Sequence, residues 1–174
     1  MRLFTSHRVN SWEPDIIEVE SIEDAVHIIH VSSDSLDLDL NTADAILSGV
    51  EELEYSEIDL EFQDAIMVTN DTLKAIYSHV YTGIRNSGEF RGLPVIEDNH
   101  VAPDPTILPE LLHKFETESL ISTVDDLVDW YWDYTTLCPF RLGNYVVGSI
   151  ILSAVSCFLQ GNYLVEVKEG VHYD

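Results

Sequence analysis

The side chains best suited to chemistry gather in one short stretch. Residues 138–149 read Cys-Pro-Phe-Arg-Leu-Gly-Asn-Tyr-Val-Val-Gly-Ser. Cys138 opens it, and a thiol works as base or nucleophile in its thiolate form. Arg141 is the nearby cation in sequence that would favour that form. Pro139, Gly143 and Asn144 are turn formers, the last two suited to positive φ. Phe140 is the apolar residue that would pin such a turn to a core. Leu142, Tyr145, Val146 and Ser149 bring no carboxylate, imidazole or cation. Elsewhere the candidates read as structure. Asp125, Asp126 and Asp129, beside Trp130 and Trp132, suit a solvated helix face over core aromatics. Glu51, Glu52 and Glu54 read the same way, and His27 and His30 as surface or core histidines rather than metal ligands. No Cys/His cluster has zinc-site spacing. Neither a Gly-x-x-x-x-Gly-Lys-(Ser/Thr) phosphate loop nor a Gly-x-Ser-x-Gly elbow occurs. Cys138 and Cys157 make no disulfide framework, and Cys157 reads as a small core residue.

The elements that must position this stretch are mainly helical. Asp15–Glu20 alternates acidic and apolar residues and predicts a short exposed strand. Ser21 with Asp24 opens a helix through Val26, Ile28 and Ile29. Ser32–Leu40 alternates as a strand or extended edge, and Thr42 caps a helix over Ala43–Leu53. Asn70 or Asp71 caps a further helix, with Leu73, Ile76, Tyr77, Val80 and Ile84 at helical spacing and a break at Asn86-Ser87-Gly88. Gly92 to Pro109 is proline-rich and extended, with one short strand at Val95–Glu97. Pro109 then starts a helix carrying Leu111, Leu112 and Phe115. Ser122 or Thr123 caps the next, through Leu127, Val128, Tyr131 and Trp132. After the turn at Cys138–Asn144 a last apolar helix runs to about Leu159 and stops at Gly161. Tyr163–Val167 predicts a final strand.

The turn sequence resembles the signature of Fic-domain proteins, His-Pro-Phe-x-(Asp/Glu)-Gly-Asn-Gly-Arg-x-x-Arg, at Pro139, Phe140, Gly143 and Asn144. Gly88-Glu89-Phe90-Arg91 resembles that family's Gly-x-(Tyr/Phe)-Arg turn. Val95-Ile96, Pro103-Asp104-Pro105 and Leu108–Leu112 resemble its flap and the proline-marked helix that follows. The likeness covers about residues 72–168. It implies a mainly α fold, a Fic-like helical core with a small β-hairpin flap at 71–174, preceded by an acidic α+β N-terminal segment at 1–70. Active members hold nucleotide phosphates on backbone N–H groups and a helix N-terminus. A histidine serves as base, an acidic residue holds magnesium and arginines neutralise phosphate. Here Cys138 stands for the histidine, Leu142 for the metal ligand, Tyr145 for the second glycine, and Val146 and Ser149 for the arginines. Leucine cannot coordinate magnesium, and losing phosphate clamps costs more than losing a base. The family's inhibitory Ser/Thr-x-x-x-Glu-(Gly/Asn) motif has no match in the chain.

Charge is the second signal: 32 acidic residues face eight basic ones, for a net −24. That excludes non-specific binding to nucleic acid or anionic lipid. It fits plain solubility, a high-salt cytoplasm, or an acidic surface that fills another protein's basic groove in the manner of a DNA mimic. The longest apolar run, about Val146 to Leu159, is short for a membrane span, and Arg2 and Arg8 precede no signal-type apolar stretch. The expectation is a cytoplasmic protein, acting in a host cell if a mobile element encodes it, with no membrane or direct nucleic-acid partner. The functional expectation is an impaired Fic-like protein that binds, and inhibits, a protein with a basic surface. The alternatives are a Fic-type enzyme with altered chemistry at Cys138, a DNA-mimic inhibitor, and a halophilic protein whose charge reports habitat. No cofactor is expected, ATP and magnesium entering only if the altered turn still binds them.

Overall fold

The computed structural model describes residues 2–4, 14–33, 65–81, 89–97 and 100–168. The expected strand at Ser32–Leu40, the helix over Ala43–Leu53 and the Asn86–Gly88 break lie mostly or wholly outside these residues. Among the described residues there are five helices, four of them around the buried last one. They are α1 (Ile22–Ser32), α2 (Asn70–Val80), α3 (Leu108–Glu118), α4 (Val124–Leu137) and α5 (Asn144–Gln160). The described residues also hold two small antiparallel sheets. One pairs β1 (Ile16–Val19) with β4 (Tyr163–Glu166), Ile16 opposite Glu166 and Val19 opposite Tyr163. The other is a hairpin of β2 (Ile96–Glu97) and β3 (His100–Val101).

Local chemistry sets the helix boundaries. Ser21 caps α1 by accepting from Asp24 N at 3.2 Å. Thr123 forms a full capping box with Asp126 at the start of α4, which gives Asp126 a structural task and holds its carboxyl below the usual range. The cap of α2 is Thr69, not Asn70 or Asp71: its Oγ1 accepts from Thr72 N at 3.1 Å. Asn70 instead reaches α3, donating from N and Nδ2 to Glu116. Pro109 is the second residue of α3, where its missing N–H is harmless.

The core is aromatic. Phe115, Trp130 and Tyr134 stack in series at 5.3 and 5.4 Å. The expected α4 face included Trp132; Trp130 is the buried tryptophan, and Trp132 is half-buried. Gly148 allows α4 and α5 to approach closely, because a Cβ there would overlap Tyr134 and lie 3.2 Å from Tyr131. The β1 strand is half-buried rather than exposed, and residues 164–167 are all buried, since α5 and α1 both pack on β4. Part of the acidic N-terminal segment therefore adheres to the helical core. Cys157 is not a core residue: it is half-exposed in the last turn of α5, next to the exposed Phe158.

Candidate functional site

The turn between α4 and α5 is closed by its own side chains. Cys138 caps α4 in the left-handed region, φ 45°, donating its N–H to Tyr134 O at 3.1 Å. Gly143 begins α5 at φ 82°, and a Cβ there would lie 2.5 Å from the Tyr81 hydroxyl; glycine alone fits. Asn144 clamps the turn from within. Its Oδ1 accepts from Phe140 N at 2.8 Å, and its Nδ2 donates to Phe140 O at 2.6 Å. Phe140 is buried between Tyr77, stacked at 4.4 Å, and Phe90 at 5.4 Å. Pro139, also buried, offers its carbonyl to Arg91 N at 2.9 Å.

The β2–β3 hairpin lies over this turn and is tied to it by three side chains. The buried guanidinium of Arg91 donates to four carbonyls: Cys138 and Leu137 at the end of α4, and Leu93 and Pro103 on either side of the hairpin. Burial lowers its pKa while the charges of Glu97 and Asp104 raise it; it remains a cation, aimed at the negative end of a helix dipole. His100 places Nε2 2.8 Å from Thr136 O. Glu97 reaches into the turn, where its Oε1 accepts from Asn144 Nδ2 at 3.1 Å and its Oε2 lies 3.7 Å from Cys138 Sγ. Cys138 is 1 % exposed and packs with Val95 and Ala102 of the hairpin, its Sγ 3.1 Å from Thr135 O. The thiol is a small apolar footing for the hairpin.

The other positions of the stretch diverge. Leu142 is exposed at the turn's outer edge, whereas Val146 and Ser149 are 2 % and 0 % exposed and face the core. Tyr145 donates its hydroxyl to Glu166 O at 2.6 Å, under the Lys168 ammonium. Beside it the Tyr131 hydroxyl donates to the buried Glu166 carboxylate at 2.5 Å. Burial and that neighbouring charge hold the Tyr131 phenol well above its ordinary range, and burial does the same for Tyr145. A cleft lined by Glu97, Thr135, Asn144, Tyr145, Glu166 and Lys168 has about 10 Å³ of free space, room for one water. Among the described residues no group of three or more His, Cys, Asp or Glu is placed to hold a metal ion.

So the structure brings Cys138, Phe140, Gly143 and Asn144 together, leaves Leu142 outward, and buries Val146 in the core and Ser149 beside Tyr131 and Tyr145. Sequence reasoning missed Glu97, Tyr131 and Glu166 as members of this neighbourhood. Glu97 carries no local signal, since only the hairpin's fold brings it to a turn more than forty residues later.

No family model and no curated protein matches the sequence. Among solved structures, the chain is similar to a Fic family protein from Desulfovibrio desulfuricans G20, with a TM-score of 0.51 at 15% identity. The match covers 78% of this chain and 50% of that one. The fold is Fic-like. The chain spans about half the length of that relative, and at this identity the likeness speaks for the fold alone. It agrees with the mainly helical core and hairpin flap expected from the sequence. None of the described helices is long and apolar enough to cross a membrane.

Proposed function

We propose that this chain is a Fic-like protein without nucleotidyl transfer, acting instead by binding another protein through its acidic surface. The observation that carries this reading is Glu97. A phosphate site at a helix start needs free N–H donors and net positive potential. Here the Glu97 carboxylate stands at the start of α5, bonded to the Asn144 side-chain amide, so a nucleotide phosphate would meet repulsion where it needs attraction. Magnesium fits no better: Leu142 offers no oxygen, and Glu97 is engaged with Asn144. The net charge of −24 favours a basic partner and fast, salt-sensitive association. The exposed apolar residues of the hairpin region, Leu93, Ile96 and Val101, with Leu142 on the turn, supply contact area.

The test is a calorimetric titration of the folded protein with ATP and magnesium at low and at molar salt. No heat in either buffer is expected. Micromolar binding would overturn the reading and direct attention to Cys138 as base or nucleophile, with Cys138→Ala as the decisive variant. A pull-down at low salt, eluted by salt, is expected to recover a basic protein.

A further inference from the structure

A second set of contacts, away from the 138–144 turn, has the form of a peptide complex. Residues 2–4 lie along α3 and α4 and are held at three points. Arg2 places its guanidinium 4.1 Å over the ring of Trp132. Leu3 and Phe4 donate their backbone N–H groups to one carboxylate, Asp133, at 3.0, 3.0 and 3.1 Å. The Phe4 ring meets Phe115 at 6.4 Å and packs on the core.

Asp133 is 0 % exposed. A carboxylate buried among aromatic rings is costly unless donors reach it. An extended chain supplies them from consecutive backbone N–H groups whatever its side chains, while the flanking cation and aromatic ring give selectivity. Asp129, one turn before Asp133 on α4, adds negative charge near that carboxylate. The covering segment lies at the surface: Arg2 is exposed and Leu3 and Phe4 are half-buried.

We infer that the α3–α4 groove is a recognition site for an extended peptide carrying a basic residue two positions before an aromatic one, and that residues 2–4 are its tethered competitor. The partner would then present a basic–x–aromatic segment that displaces the chain's own arm. This stands apart from the nucleotide question and survives either outcome of the ATP titration.

The test uses the full chain and a fluorescent peptide, Met-Arg-Leu-Phe-Thr-Ser, followed by anisotropy. Replacing both side-chain anchors, R2A with F4A, leaves the arm only its backbone bonds to Asp133 and is expected to tighten peptide binding by about tenfold or more. Adding Asp133→Asn to that variant should reverse the gain, and a peptide with Glu for Arg and Ser for Phe should not bind. If the folded double variant shows no anisotropy change up to about 1 mM peptide, or takes both peptides equally, the arm is a structural strap and the inference falls. It falls also if the unaltered chain dimerises in sedimentation and the double variant does not, since the arm then serves a second copy. Should the variants fail to fold, hydrogen exchange at the Leu3 and Phe4 amides of the unaltered chain decides. Faster exchange with saturating peptide supports displacement, and unchanged exchange overturns it.

Discussion

Asp133 should make the protein less stable as pH rises, the opposite of an ordinary paired carboxylate. Burial pushes its carboxyl from 3.8 up to about 6, with Asp129 pushing the same way, while the N–H groups of Leu3 and Phe4 pull it back. In the unfolded chain it returns to its ordinary value. The folded state therefore binds this proton more tightly, and the stabilisation is complete below the unfolded pKa and lost as pH climbs through about 6. The difference of about two pKa units, at ~1.4 kcal/mol each, amounts to ~3 kcal/mol. About 2 kcal/mol of that falls between about pH 4.5 and about pH 7.5. Urea unfolding of the unaltered chain and of Asp133→Asn across that range isolates the effect, because the background of −24 is nearly common to both. Loss of one N–H acceptor in the variant is a constant offset. The stability of the unaltered chain relative to the variant should fall by about 2 kcal/mol as pH rises. Parallel curves would refute the reasoning, because Asp133 would then titrate as a solvated carboxyl and residues 2–4 would not cover it.

Gly148→Ala should lower stability by ~1–3 kcal/mol in thermal unfolding, despite the helix propensity it adds. The new Cβ meets Tyr134, which is pinned by Trp130 and by its bond to Asn144 O; an unchanged midpoint would mean that α4 and α5 are further apart. Arg91→Met should cost ~3 kcal/mol or more by denaturant titration, because four buried or half-buried carbonyls lose donors. Arg91→Lys should recover little, since an ammonium cannot reproduce the fork. In native buffer an aromatic disulfide reagent should release about one equivalent quickly, from the half-exposed Cys157, and the second only on unfolding, from Cys138. Two fast equivalents would contradict the packing of Cys138 under the hairpin.

What was legible in the sequence was local. Ser21, Thr123 and Pro109 announce helix starts because capping and proline geometry act within four residues. Gly161, at φ 82°, stops α5 for the same kind of reason. The turn residues Phe140, Gly143 and Asn144 were readable because a sharp helix–helix reversal restricts which residues fit. Thr69, Asn70 and Asp71 are adjacent good caps, and local chemistry alone does not rank Thr69 first. The larger misses are non-local. Nothing near Ile16 says that its partner is Glu166, and nothing near Asp133 says that a carboxylate on a helix rich in acid is the buried one. Cys157 falls at a core-compatible spacing, yet α5 outruns its neighbours and leaves the last turn exposed.

The same geometry explains what holds the turn in shape and why single substitutions toward the resembled signature would not build a phosphate site. A phosphate loop leaves donors unsatisfied until the anion arrives. Here Asn144 satisfies Phe140 at both backbone atoms and spends its remaining amide hydrogen on Glu97. The guanidinium of Arg91 faces the carbonyl end of α4 instead of the start of α5. Positions 146 and 149, where the resemblance would call for arginines, are 2 % and 0 % exposed. An arginine at either would carry a charge into the packing between α4 and α5, a cost of several kcal/mol, rather than extend over a bound phosphate. Bringing those positions over the turn would require α5 to rotate, and Gly148 against Tyr134, with Ser153 donating to Leu164 O at 2.7 Å, fixes that rotation. The packing of α5 therefore makes the 138–144 turn a fixed joint between two helices.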